Sequence, residues 1–156
     1  MSEARLNPSL QKKAAARMAA AQCLYTAAVN KEALAPTQRI NALKARLADN
    51  RDEQKLTVGQ PVEPNYKLAE ALLAGVADRQ VEIDALLDSA LKVGWTRARM
   101  SPLMVAILQC AIFELRFGKE ISPKIVIDEY TRLTRSFFAD DEVNFVHGCL
   151  SQLAHG

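Results

Sequence analysis

The sequence predicts an all-α fold, and three observations support this prediction. The chain has 156 residues but only 6 Gly and 6 Pro, and Ala and Leu are abundant, a balance that favours helix over sheet. Apolar residues recur at spacings of three and four, which is the period of an amphipathic helix. The apolar and polar alternation that is typical of strands is absent from the sequence. We therefore expect a bundle of about six or seven helices.

Length and composition indicate one globular domain over residues 1–156, with residues 1–10 expected to be flexible. Apolar residues make up 49% of the chain and charged residues 24%, which is ordinary for a soluble protein that buries its own core. Cys23, Cys110 and Cys149 are odd in number and embedded in apolar patterns, which indicates reduced core thiols in a cytoplasmic protein. No apolar run approaches the ~18 residues of a membrane span, so no membrane association is expected.

The first predicted helix runs from Pro8 to Asn30. One apolar face is formed by residues at alternating spacings of four and three: Ala14, Met18, Ala21, Tyr25 and Ala28. Lys12, Lys13 and Arg17 lie near its first turns, where the helix dipole disfavours cations. Helix stability therefore does not account for these charges, which leaves two interpretations: a ligand with negative charge, or a solvated helix face.

The middle of the chain predicts two more helices with a loop between them. The second helix starts near Pro36, and the polar stretch from Asp49 to Pro64 is the longest predicted loop, which we expect to be mobile. The third helix runs from Asn65 to Leu91. Its glycine, Gly75, is expected to let another helix approach closely. Residues 63–92 hold six acidic and three basic residues, whereas residues 1–31 hold five basic and one acidic, so the two regions are expected to face different neighbours.

The last third of the chain predicts three helices. The fourth begins after Ser101, is apolar on nearly every side and ends at Gly118, so other helices should surround it as a central strut. The fifth opens at Ser122. The last helix spans Asp140–Ala154 and has Gly148 in its interior, where glycine costs about 0.5–1 kcal/mol relative to alanine. We expect Gly148 to allow close approach by neighbouring helices.

The chain lacks a convergent set of reactive residues at sequence level. His147 and His155 are its only histidines, and Cys149 cannot share a helix face with His147 two residues away. A metal site and a Cys-His nucleophile are therefore poorly supported, and we expect neither a cofactor nor a catalytic residue. The sequence favours a binding module over an enzyme.

Five segments, taken in order, resemble the NusB family of bacterial transcription antitermination factors. They are ARMAAAQCLY, YKLAEALLAGVADRQVEIDALL, AILQCAIFEL, SPKIVIDEYTRLTRSFF and NFVHGCL. The resemblance covers most of residues 12–154. It implies an all-helical fold of two packed helical subdomains and no catalysis. It also implies joint binding of boxA RNA and the ribosomal protein NusE, in support of processive transcription of ribosomal RNA operons by the elongation complex.

The resemblance also implies site residues. The RNA-facing set is Lys12, Lys13, Arg17, Asp141, Asn144 and Phe145, and the NusE-facing set is Tyr25 and Met104. Each has a structural alternative: Phe145 could be buried against the fifth helix, the charge of Asp141 also suits a helix start, and Tyr25 lies on an apolar stripe. Met104 is consistent with a changed partner face or with plain core.

The chain departs from the family at five of these and neighbouring positions. Asn144 replaces a basic residue, His147 an asparagine, Gln109 an arginine, Met104 an acid and Phe138 a small residue. Because three of these changes remove cation or amide donors, a second hypothesis is a scaffold of the same fold with reduced or lost RNA binding. Less favoured hypotheses are the related domain that precedes some ribosomal RNA methyltransferases and an unknown enzyme. A homodimer that hides the RNA face is also open.

Overall fold

The computed structural model describes residues 7–31, 63–118 and 121–155, together with six residues of an intervening helical segment: Gln38, Arg39, Asn41, Ala42, Lys44 and Ala45. These six are helical, in the region of the second predicted helix; the remainder of that helix and most of the predicted loop lie outside the described residues. So do residues 1–6, whereas Pro8 already begins a helix.

The rest of the described chain forms six α-helices and one 3-10 turn at Arg97–Arg99, and no strand occurs in it. The helices are α1 (Pro8–Asn30), α2 (Tyr66–Asp78), α3 (Gln80–Ala90), α4 (Pro102–Phe117), α5 (Pro123–Arg135) and α6 (Asp140–His155). The predicted all-α class is confirmed, and so are the bounds of the first helix.

Local sequence accounts for the helix starts. The Asn7 side chain accepts a hydrogen bond from the Leu10 amide at 2.8 Å, and Asn65 does the same for Leu68 at 3.0 Å. Proline occupies the first turn of α1, α4 and α5. Amide groups in the first turn have no acceptor within the helix, so proline loses no helical hydrogen bond there. Ser101 stands at the start of α4 as predicted, but its side chain makes no capping hydrogen bond.

The prediction of one continuous helix from Asn65 to Leu91 is wrong. Helix α2 ends at Asp78, and Arg79 leaves the helical region with φ −115° before α3 begins at Gln80. The Arg79 amide still donates to the Gly75 carbonyl at 3.0 Å, so the chain bends rather than opening into a loop.

Helix α4 is the centre of the bundle, as its apolar composition predicted. It contacts all five of the other α-helices, and a single hydrophobic cluster draws buried residues from all six. Around it, α1 packs on α2, while α6 packs on both α3 and α5. These two groups meet on α4.

Two glycines inside helices have different surroundings. A Cβ atom on Gly75 would lie 2.2 Å from Cε1 of Phe113, which confirms that this glycine lets α2 approach α4 closely. A Cβ atom on Gly148 would have no neighbour within 4 Å, and the residue is exposed. The expectation that Gly148 allows close helix packing is therefore wrong.

This contrast gives a testable pair of variants. Gly75→Ala should lower the free energy of unfolding by about 1–2 kcal/mol, because the Phe113 ring must move to make room and improved helix propensity offsets only part of that cost. Gly148→Ala should raise it by about 0.5–1 kcal/mol, because the helix gains propensity without a clash. Urea unfolding of both variants measures the difference. Equal effects of the two changes would contradict the packing role of Gly75.

Candidate nucleic-acid interface

A groove of about 430 Å³ lies between the segment before α4 and the start of α6. We call it the aromatic groove, and its lining residues are Lys92, Trp95, Arg99, Met100, Ser101, Met104, Phe138, Asp141, Glu142 and Phe145. Three residues predicted for the functional surface, Met104, Asp141 and Phe145, come together here. The groove combines three aromatic rings with two cations and two carboxylates, a composition suited to a polar ligand that has flat apolar faces.

Helix α6 supplies one wall of the aromatic groove. Asp141, Glu142 and Phe145 fall on one side of its first two turns, because residues three and four apart are neighbours on a helix. Phe145 is half-buried and packs against the hydrophobic core, yet one part of it lines the groove. Part of the ring is therefore buried in the core, and part of it remains accessible at the groove. Asn144, its neighbour in sequence, is exposed and does not line the groove.

The opposite wall is the segment from Lys92 to Ser101, and ion pairs hold it in place. Arg97 binds the carboxylates of Asp88 at 2.7 Å and Asp84 at 3.0 Å, and Gln109 of α4 donates to Asp84 at 3.0 Å. A single exposed ion pair contributes only about 0.2–1 kcal/mol, but here one guanidinium joins two carboxylates in a network. The amide of Gln109 is thus engaged within the protein.

Trp95 belongs to this anchored segment and remains 56% exposed at the groove. Lys92 and Arg99 flank it, and both are also exposed. An exposed tryptophan between two cations offers a stacking surface next to positive charge.

Arg17 occupies a different environment from the two lysines that precede it. Lys12 and Lys13 are exposed, and the Lys12 carbonyl accepts a hydrogen bond from the Asn65 amide at 3.0 Å, which fixes the start of α1 beside that of α2. Arg17 is only 4% exposed and forms two hydrogen bonds to Glu114, at 2.7 and 3.0 Å. A buried and paired guanidinium cannot reach a phosphate. The prediction that Arg17 faces RNA therefore does not agree with its position in the structure.

Arg17 is instead part of a buried polar cluster that joins α1, α4 and α5. Its second carboxylate neighbour is Glu129 at 3.7 Å, and the Tyr130 hydroxyl donates to Glu114. Burial disfavours the Arg17 charge, but the hydrogen bonds and charge of Glu114 more than offset this and raise the pKa of Arg17. Burial and the Glu114 charge raise the pKa of Tyr130 well above its usual value, so its hydroxyl stays protonated and acts as a donor.

The two predicted partner-facing residues differ in exposure. Tyr25 is 37% exposed on α1, and Val29 is also exposed one turn further on. Met104 is 7% exposed and lies in the aromatic groove with Asp141 and Phe145. It is mainly a core residue, and only its groove-facing surface is available to a ligand.

The cysteines offer no reactive centre in the described structure. Cys23, Cys110 and Cys149 are all buried, and none of them forms a disulfide. Burial raises the pKa of Cys149 to about 11, so its thiol is protonated at neutral pH and is a poor nucleophile. The nearby His147 is exposed and approaches the Ser151 hydroxyl at 3.4 Å instead. Within the described residues, no group of three or more His, Cys, Asp or Glu side chains could hold a metal ion.

None of the helices in the described part of the chain has the combination of length and apolar character that crossing a membrane requires.

Most of the chain also matches a known protein family. The model of the NusB family matches residues 14–155. The chain belongs to the NusB family. The transcription antitermination protein NusB of Rhodopseudomonas palustris (strain TIE-1) is 31% identical, over 96% of this chain and 85% of its own length. NusB of Bradyrhizobium sp. (strain ORS 278) is 32% identical, over 92% of this chain and 82% of its own.

A solved NusB structure supports the architecture. T. maritima NusB aligns with a TM-score of 0.71 and 21% identity, covering 91% of this chain and 89% of its own. This likeness shows that the fold is the all-helical NusB fold. NusB relatives are transcription antitermination proteins rather than enzymes, which agrees with the non-enzymatic class that the sequence predicted.

The groove residues that the sequence did not predict as site residues include Lys92, Trp95, Arg99 and Glu142. A signal for the first three existed, because Lys92 to Arg99 combines one tryptophan with three cations and no acid. Glu142 gave no signal, because its role depends on a groove wall that comes from a distant part of the sequence.

Proposed function

We propose that this chain is a transcription antitermination factor that binds boxA RNA jointly with the ribosomal protein NusE. The observation that carries the proposal is the aromatic groove, in which Phe145 and Asp141 lie beside the exposed Trp95 and two cations. The proposed setting is the transcription elongation complex on ribosomal RNA operons, in the cytoplasm, and membership of the NusB family supports it.

The groove suits single-stranded RNA for two physical reasons. Unpaired bases stack on aromatic side chains for about 1–3 kcal/mol each, and Trp95, Phe138 and Phe145 offer such surfaces. Phosphates bind Lys and Arg side chains and release counterions, and Lys92 and Arg99 are exposed at the groove. The exposed Lys12 and Lys13 would add a second positive contact along the strand.

NusE would bind the edge of α1 that carries Tyr25 and Val29, both of which are exposed. In joint recognition each ligand raises the affinity for the other by the same factor, because coupling between two sites is reciprocal. RNA bound at the groove and protein bound on α1 would thus hold the complex together more firmly than either contact alone.

Fluorescence anisotropy tests this function directly. A labelled boxA RNA is titrated with the full chain, with and without NusE, and a scrambled RNA of equal length serves as the control. We expect boxA to bind more tightly than the scrambled RNA, and NusE to tighten boxA binding by about 5- to 150-fold. Equal binding of the two RNAs, with or without NusE, would contradict the proposal.

The second candidate is a protein-interaction scaffold with the same fold and little RNA binding. The observation that favours it is the sequestered Arg17, which leaves only Lys12 and Lys13 as free cations of the predicted RNA-facing set. A pull-down of NusE from lysate, with and without ribonuclease, separates the two functions. Capture that does not change after ribonuclease treatment, together with no boxA binding in the titration, would select the scaffold. Light scattering shows whether self-association covers the groove.

A further inference from the structure

We propose that the aromatic groove holds one unstacked nucleobase and that Glu142 selects it, with guanine preferred. This inference rests on the proposed RNA-binding function and adds to it a base-selecting residue. It follows from a buried acceptor without a partner, from the aromatic walls of the groove and from the cations at its rim.

Glu142 is the first of these observations. Its Oε1 atom is buried and has no hydrogen-bond partner among the described residues, and the side chain lines the aromatic groove. Native structures satisfy most buried acceptors, so an unpaired carboxylate oxygen beside a cavity calls for a donor from outside the chain. An ionised carboxylate only accepts hydrogen bonds, so the missing ligand group is an N–H or O–H donor.

The shape of the groove identifies the kind of donor. Its volume of about 430 Å³ lies within the range of small-ligand pockets, about 300–1,000 Å³. The aromatic side chains of Trp95, Phe138 and Phe145 line it together with Met100 and Met104, so a flat ring is bounded by apolar surface. Nucleobases are flat rings that carry N–H donors on their edges, and proteins read unpaired bases in this way by stacking and edge hydrogen bonds.

The charges around the groove fit a nucleotide rather than a free base. Lys92 and Arg99 are exposed lining residues. When the base of a nucleotide stacks inside a groove, its phosphates stay in solvent, where exposed cations can bind them. Arg97 is held by Asp84 and Asp88, so it fixes the segment rather than competing for phosphate. The groove therefore offers cations to the RNA backbone and a carboxylate to the base.

Donor geometry distinguishes the four bases. Guanine presents an imino N–H and an amino group side by side on its Watson–Crick edge, and these two donors match the two oxygens of one carboxylate. Adenine and cytosine each present one amino group beside an acceptor. Uracil presents one imino N–H between two carbonyl oxygens, which repel a carboxylate. The expected order of binding is therefore guanine first, adenine and cytosine next, and uracil last.

The test uses hexamer RNAs of uridine in which one central position is guanosine, inosine, adenosine, cytidine or uridine. Inosine keeps the imino donor of guanosine but lacks its amino group. Binding of the full chain is followed by RNA anisotropy and by the fluorescence of Trp95, the only tryptophan. We expect guanosine to bind about tenfold more tightly than uridine, with inosine between them, because a hydrogen bond to a charged acceptor is worth about that factor. Stacking should also change the Trp95 emission.

Two variants complete the experiment. Glu142→Gln should bring the guanosine-to-uridine ratio close to one, because the amide no longer offers two acceptors. Glu70→Gln changes the same charge on the exposed face of α2 and should keep the full ratio. Circular dichroism checks that both variants fold.

Three results would overturn the inference: a Glu142→Gln protein that keeps the guanosine preference, a wild-type protein without any base preference, or Trp95 emission that stays constant at saturation. The last would indicate that hexamers bind elsewhere, for example along Lys12 and Lys13. Each of these outcomes leaves boxA binding with NusE intact, so they are distinct from failure of the proposed function.

Discussion

Replacing Glu114 with alanine is expected to lower the free energy of unfolding by about 3–5 kcal/mol, the usual cost of removing one partner from a buried ion pair. Glu114 accepts two hydrogen bonds from Arg17 and a third from the Tyr130 hydroxyl, and all three side chains are buried. Without the carboxylate, the guanidinium keeps its charge inside the protein, and Glu129 at 3.7 Å is its remaining acidic neighbour.

Equilibrium unfolding in urea measures this effect. Glu70→Ala, at an exposed position of α2, is the matched control and should change stability by less than about 0.5 kcal/mol. A double variant, Arg17→Met with Glu114→Leu, should be more stable than Glu114→Ala alone, because apolar side chains of similar size remove the unpaired charge. If Glu114→Ala behaved like the control, the cluster would not stabilise the fold.

Arg17 also illustrates what sequence reasoning can and cannot establish. Its charge and its place near Lys12 and Lys13 are visible in the sequence, and they suggested one basic surface. Its burial depends on Glu114, which is 97 residues away in the chain, so no local pattern could show it. Helix class and the first helix were predictable because amphipathic periodicity is a local property.

The helix break at Arg79 and the packing of the two glycines show the same limit. The apolar stripe continues from Val76 to Ile83 with a spacing of seven, which suits an unbroken helix, so the bend between α2 and α3 left no trace in the pattern. Gly75 and Gly148 have equal helix propensity and differ only in what faces them, a Phe113 ring or open space. Tertiary contacts decide such cases, and sequence spacing does not report them.

Only part of the candidate site was predictable from the sequence. Asp141 and Phe145 lie within one helix, so their proximity follows from helical spacing. Trp95, Lys92 and Arg99 join them only because α3, α4 and α6 pack together and Arg97 anchors the intervening segment. The groove is thus a product of the packed bundle, and Glu142 gains its significance only there.

The second large effect is expected on RNA binding. Reversing the charge of both exposed lysines of α1, with Lys12→Glu and Lys13→Glu, should raise the Kd for boxA RNA by about 10- to 100-fold near physiological salt. The reason is the loss of two phosphate contacts. Each such contact contributes about 0.7 to the slope of log K against log salt. Both side chains are exposed, so the change should leave stability close to that of the wild type. Anisotropy titrations at several salt concentrations measure the Kd and the slope together.

The slope is what distinguishes direct phosphate contact from a general change in charge. Lys31→Glu with Lys124→Glu alters net charge equally at two exposed positions, the residue that follows α1 and the first turn of α5, and serves as the control. General attraction would weaken in both double variants, whereas the loss of two phosphate contacts should flatten the slope by about 1.4 in the Lys12 and Lys13 variant alone. Equal slopes in the two variants would mean that α1 only steers the RNA and that the aromatic groove provides the binding contacts.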